Sequence, residues 1–200
     1  LMSKIEIIDN FLNKDDFEEL KLFLMSPRSQ WRFVDFIAHK GERDQDQDRD
    51  GYFVHSFTDR DPNSFIERFE VSPDYQKVGK LMDCIKNKLN YRQILRIRSS
   101  LYPRRDKQKP DPFHVDYSFD HKVCIFYVNT NNGFTLFENG EKVNSVANRL
   151  MIFDGLEKHC SVVQTDTAAR YIININLLWI MLKVFDKSIH KCLRLINAKK

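Results

Sequence analysis

At 200 residues and 42% hydrophobic content the chain is long enough for one domain with a sizeable core and too short for several. Sixteen Phe and seven Tyr against six Gly favour packed sheets over disorder. The net charge of +4 is local: residues 177–200 hold six basic side chains against Asp186, a net +5 that leaves −1 for the remainder, so no general nucleic-acid surface is implied.

Nothing at the N-terminus reads as a signal peptide, because Ser3-Lys4-Ile5-Glu6 interrupts any apolar run. Residues 5–8 form a short strand, and Asn13 or Asp15 caps a helix over residues 16–25 with Phe17, Leu20, Phe23 and Leu24 on one face. Residues 31–37 read as a strand. Residues 41–51, GERDQDQDRDG, are polar and low in complexity and read as a mobile loop. A strand over 52–57, a helix over 73–89 and a strand over 95–101 follow. From residue 110 the pattern is all-β, with strands at 113–117, 122–129, 135–138, 142–146, 149–154, 159–164 and 170–178. Asn139-Gly140 marks a hairpin between the third and fourth of these. Seven short strands without a helical crossover predict a small barrel or sandwich. Cys84, Cys124, Cys160 and Cys192 show no paired spacing, so reduced thiols and a cytoplasmic setting are expected.

The chemistry gathers at Phe113-His114-Val115-Asp116. On a strand, His114 and Asp116 leave the same face, and a distant histidine, His159, would be brought there by the fold. Two imidazoles and a carboxylate on one side of a metal leave its other side open, as in the facial triad of non-haem Fe(II) oxygenases. A lone HxD is more often a surface pair, and zinc also takes two His and one acid. Arg170, 11 residues past His159, would supply a fixed positive charge for a dicarboxylate. On an apolar strand it would be costly to bury unless an anion meets it.

With those segments laid out, the chain resembles the Fe(II)/2-oxoglutarate-dependent dioxygenases of the prolyl 4-hydroxylase-like branch, from IIDNFLNKDDFEEL to about Asn176. RIRSSLYPR, FHVDY, CIFYVNTNNGFTLFENGE, VNSVANRLMIFDGLEKH and ARYIININ are especially like oxygenases carried by tailed bacteriophages, many of them marine. The resemblance implies a double-stranded β-helix (jelly roll), mainly β with supporting α-helices from the N-terminal half. It implies a single domain over residues 1–178. His114, Asp116 and His159 would hold Fe(II), and Arg170 would bind 2-oxoglutarate, with O2 as the second co-substrate and room for ascorbate as an accessory. Tyr102, Tyr127 and Thr135 match co-substrate pocket positions. Asn174 and Asn176, in step with Arg170, are expected to touch water or co-substrate.

The reaction implied is hydroxylation of a C–H bond, with peptidyl proline as the family analogue among peptide, protein or small-molecule substrates. The compartment would be the host cytoplasm for a phage-borne protein. Residues 41–51 and 104–111 are expected to flank the entrance and govern substrate choice. Residues 179–200 depart from the family and read as a basic amphipathic extension, its apolar run of 177–182 too short to span a bilayer. Two other readings compete: a catalytically silent jelly-roll binding module, for example in a virion, and a cupin-like isomerase or metal hydrolase. Neither explains Arg170.

Overall fold

Residues 123–128 are apolar without interruption, so a strand there must be covered on both faces. The computed structural model of the protein describes residues 5–34, 51–60 and 69–179 and shows both covers. Its strands are β1 (Glu6–Ile8), β2 (Arg32–Val34), β3 (Tyr52–Arg60), β4 (Phe69–Val71), β5 (Tyr91–Pro103), β6 (Lys122–Tyr127), β7 (Phe134–Phe137), β8 (Lys142–Asn144), β9 (Arg149–Asp154), β10 (His159–Val162) and β11 (Ala169–Trp179). Two helices, α1 (Lys14–Leu24) and α2 (Gly79–Lys88), lie in the N-terminal half.

The strands form two antiparallel sheets. The larger runs β1-β9-β6-β11-β5-β3-β2, with β4 added on β3, and the smaller runs β10-β7-β8. Along β6, Cys124 and Phe126 join Phe17, Leu20 and Leu24 of α1 and Leu81, Met82 and Ile85 of α2 in one core. The alternate residues Val123, Ile125 and Tyr127 pack with Phe137 and Val143 of the smaller sheet in a second. β11 divides the same way: Ile173, Ile175 and Leu177 face the helices, while Arg170, Ile172, Asn174 and Asn176 face between the sheets. The chain is therefore mainly β, a jelly roll with helices on one outer face.

Local sequence explains the ends of these elements. Asn13 accepts the Asp16 N–H at 3.0 Å as the α1 cap, and Asp15 and Asp16 sit against the positive end of the helix dipole. The Asn139-Gly140 turn closes the β7–β8 hairpin with Gly140 at φ 86, a conformation that favours glycine. Asn148, itself at φ 60, accepts the Leu12 N–H and donates to the Leu12 carbonyl, tying the N-terminal segment to the start of β9.

Two expectations are corrected and one strand is added. The helix over 73–89 is a short 3-10 turn, Pro73–Val78, followed by α2, because Pro73 with the Ser72 cap winds a tight first turn. β4 was not foreseen. Residues 113–117 are not a strand: between β5 and β6 only Pro110 and His114 make isolated bridges, to Val162 and His159, since Pro110 and Pro112 remove ladder donors. The part of the strand expected over residues 31–37 that follows Val34, residues 41–50 of the polar loop and residues 180–200 of the extension lie outside the described residues. Among the described residues, no helix is long and apolar enough to cross a membrane.

Candidate metal centre

His114 reaches its place without a strand of its own. It exchanges two backbone hydrogen bonds with His159, each 3.0 Å, which locks the HxD segment to the start of β10 and sets the two imidazoles 4.9 Å apart. One potential ligand atom from each of His114, Asp116 and His159 then lies within 4.8 Å of the other two. The sequence argument for a shared face assumed strand geometry; the bridge to His159 delivers the same convergence by another route.

Each imidazole is held in one tautomer. Nδ1 of His114 faces the Pro112 carbonyl at 3.2 Å and Nδ1 of His159 faces the Glu157 carbonyl at 3.1 Å. Carbonyls only accept, so both Nδ1 atoms carry the proton and both Nε2 lone pairs are free to ligate. Burial depresses the His159 pKa, partly opposed by Asp116, which favours the neutral, ligating form.

Asp116 is more elaborately held. Its Oδ1 accepts from Arg96 Nη2 at 2.8 Å, and its Oδ2 accepts from the amides of Asn174 at 3.0 Å and Asn176 at 2.8 Å. Burial alone would raise its pKa, but Arg96, the neighbouring His159 and the two amide hydrogen bonds overcome that and hold it well below the usual carboxylate range. The carboxylate is therefore ionised around neutral pH.

Arg170, on β11 in step with Asn174 and Asn176, has no solvent exposure at all. Its Nε donates to Ser145 Oγ at 2.7 Å, Nη1 to Ser161 Oγ at 2.6 Å and Nη2 to Thr135 Oγ1 at 3.4 Å. The rings of Tyr102 and Tyr127 stand 5.6 and 5.7 Å from the guanidinium carbon. Hydroxyls and ring faces satisfy hydrogen bonds but do not neutralise charge, and among the described residues no carboxylate pairs with Arg170. Tyr127 shares a 2.8 Å hydrogen bond with Thr135, and burial pushes the Tyr102 phenol up to about 12.

The structure thus collects Tyr102, Tyr127 and Thr135 around Arg170. It places the amide nitrogens of Asn174 and Asn176 on Asp116, so these two reach the carboxylate of the candidate metal centre and not the Arg170 group. Residues 104–111, expected at the entrance, are braced by an Arg105–Asp111 ion pair of 2.8 Å and by the Pro110 bridge to β10. Sequence reasoning missed Arg96, Ser145 and Ser161. The alternation Arg96-Ile97-Arg98 in a long strand was a usable signal, because basic residues on an inward face need counter-charges. The two serines gave none.

No family model and no curated protein matches the sequence. In three dimensions the chain is similar to a Trichoplax adhaerens prolyl hydroxylase solved in complex with a hypoxia inducible factor oxygen degradation domain peptide fragment: TM-score 0.60 and 14% identity, covering 88% of this chain and 84% of that one. A Burkholderia pseudomallei oxidoreductase of the 2OG-Fe(II) oxygenase family gives a TM-score of 0.58 at 10% identity, covering 86% and 85%. A Pseudomonas putida prolyl-4-hydroxylase gives 0.53 at 13% identity, covering 90% and 94%. At such identities what is shared is the fold, and it spans nearly all of each partner.

Proposed function

We propose that the protein is an Fe(II)- and 2-oxoglutarate-dependent oxygenase that hydroxylates a C–H bond, with His114, Asp116 and His159 as iron ligands and Arg170 as the anchor for the distal carboxylate of 2-oxoglutarate. The observation that carries this reading is Arg170: a fully buried guanidinium, without a carboxylate partner among the described residues, on the inner face that also holds the Asp116 network. A buried charge of this kind needs an anion, and a dicarboxylate that also chelates the metal supplies one. A zinc hydrolase, an isomerase or a silent binding module leaves it unexplained.

The donor set fits the metal. Two imidazoles with Nε2 turned to the site and one ionised carboxylate suit Fe(II), and three ligands leave three positions for other groups. Bound iron, with 2-oxoglutarate and O2, would supply the oxidation that no side chain here can perform. The protein's own part is positional. Pro112 and Glu157 carbonyls aim the imidazoles, Arg96 and the two asparagines fix the carboxylate, and Arg170 with Tyr127 and Thr135 would orient the far end of the keto acid. The Tyr102 ring, stacked at 5.2 Å on Tyr52, would wall the co-substrate from water.

Peptidyl proline is the substrate to which the fold analogy points, since two neighbours are prolyl hydroxylases; fold analogy alone does not establish it. The resemblance to phage-borne oxygenases would place the reaction in a host cytoplasm. Under air, purified protein with Fe(II) and 2-oxoglutarate is expected to form succinate, and to form none without oxygen or with the metal chelated. Absence of succinate together with absence of binding of N-oxalylglycine to the Mn(II)-loaded protein would end this proposal.

Gly133 offers a separate check. A Cβ there would stand 3.0 Å from Arg170 Cδ, 3.0 Å from the Val162 carbonyl and 2.8 Å from Asn131 Oδ1. Gly133→Ala should therefore push the arginine stem. An overpacking cost of about 1–3 kcal/mol, falling on the anchor, corresponds to roughly 5- to 150-fold in 2-oxoglutarate affinity, with Fe(II) affinity unchanged. Equal loss of both affinities would mean that the substitution disturbs the fold and not the anchor.

A further inference from the structure

The chemistry proposed above uses Arg96 and Arg170 and leaves Arg98 unemployed. β5 and β11 pair residue for residue from Ala169↔Pro103 to Asn176↔Arg96, so Arg96, Arg98, Ser100 and Tyr102 share one face of β5. Contacts fix both ends of that row on the site. Arg96 donates to Asp116 at 2.8 Å, and the Tyr102 ring lies 5.6 Å from the Arg170 guanidinium carbon. Arg98 sits between them. Its partner across the strands is Asn174, whose amide holds Asp116, and its partner on β3 is Ser56. Directly opposed side chains start about 5 Å apart, well within the reach of an arginine.

Among the polar atoms on this face that are shielded from water, Arg98 Nε, Asn174 Oδ1 and Asn176 Oδ1 make no hydrogen bond among the described residues. Both asparagine carbonyls are left over because their amide nitrogens are committed to Asp116. No carboxylate among the described residues pairs with Arg98. Shielded groups without partners are costly in a finished fold and ordinary in a site awaiting a ligand.

We infer that Arg98 receives a carboxylate of the molecule that is hydroxylated. The substrate is then an acid, in which a carboxylate lies on Arg98 and an N–H can meet the Asn174 carbonyl: an amino acid, free or N-acylated, or a peptide whose recognised residue carries its own carboxylate. This rests on the iron and 2-oxoglutarate reading above, because that reading makes the shared face a substrate face.

The test uses the full chain loaded with Zn(II) and N-oxalylglycine, so that nothing turns over and binding is read directly by calorimetry. Binding of those two is measured first; its failure would remove the oxygenase reading itself. The probes are the common L-amino acids in three forms: free, N-acetylated with a free carboxylate, and N-acetylated as the C-terminal amide. The amides of Asp and Glu report a side-chain carboxylate, the other acids report an α-carboxylate, and phosphoserine amide reports phosphate. At least one acid is expected to bind, with its uncharged amide at least tenfold weaker. Arg98→Gln should erase that preference while Zn(II) and N-oxalylglycine still bind, and Arg98→Lys should keep part of it. With the two loaded ligands bound, any of four results would overturn the inference: no acid binds, the best acid and its uncharged counterpart (the C-terminal amide, or Asn or Gln amide where the side chain carries the carboxylate) bind alike, only the phosphorylated probe binds, or Arg98→Gln retains the preference. Melting curves of both variants show whether either has lost its fold.

Discussion

His114→Ala and His159→Ala are each expected to abolish Fe(II)-dependent succinate formation, and Asp116→Ala to abolish it while also weakening the fold. Loss of an outer-shell partner typically costs about 10–100-fold in metal affinity, and loss of a ligand should cost more. The three sites differ in what else they support. His114 is only partly buried, and its side chain's interaction outside the metal set is one bond to the Pro112 carbonyl. Asp116 is the common acceptor of Arg96, Asn174 and Asn176, so its removal deprives a nearly buried guanidinium of this carboxylate. Breaking such a pair costs on the order of 3 kcal/mol or more. Arg96→Met should fall between: a folded protein whose Asp116 is less firmly aimed, with Fe(II) affinity down about 10–100-fold. Metal titration with melting curves on all four variants checks this. Wild-type Fe(II) affinity in any two of the three ligand variants would sink the assignment.

These differences bear on what the sequence could and could not reveal. The strands on either side of the site were legible because their apolar residues are continuous, and β9 (Arg149–Asp154) matched its expected bounds. The HxD segment misled in its local structure, since Pro110 and Pro112 forbid a ladder, yet the same-face geometry survived because the chain borrows it from β10 through two backbone hydrogen bonds. Long-range pairing of this kind leaves no trace in local periodicity. The hydroxyls around Arg170 were invisible for a related reason: Ser145 opens the loop after β8 and Ser161 is one small residue in Cys160-Ser161-Val162, and neither pattern singles out a ligand. Arg170 itself was legible because a cation flanked by Ile172, Ile173 and Ile175 has to be explained. The roles of Asn174 and Asn176 follow only from seeing that Asp116 stands across from β11, a fact set by the fold and not by spacing.

Arg170→Ala is expected to lower 2-oxoglutarate affinity severely while Fe(II) still binds. Truncating one member of a buried charge-assisted pair costs about 2–5 kcal/mol, roughly 30-fold to several thousand-fold in affinity. Arg170→Lys should be milder but not silent. The ammonium keeps the charge, but it cannot reproduce the fork in which Nε and Nη1 reach Ser145 and Ser161 on separate sides. The sharper readout is thermal. Without an anion, the wild-type fold carries an uncompensated buried cation, and a ligand that neutralises it should stabilise the protein strongly. With the metal site loaded, N-oxalylglycine at 100 times its Kd should add about 2.7 kcal/mol by mass action alone. In Arg170→Met, which fills much of the same volume without charge, the same ligand concentration should shift the melting temperature little, because the anchor is gone while the packing is largely retained. If N-oxalylglycine stabilised Arg170→Met as much as the wild type, the anion would be bound elsewhere, and another cation on this face would have to be its anchor.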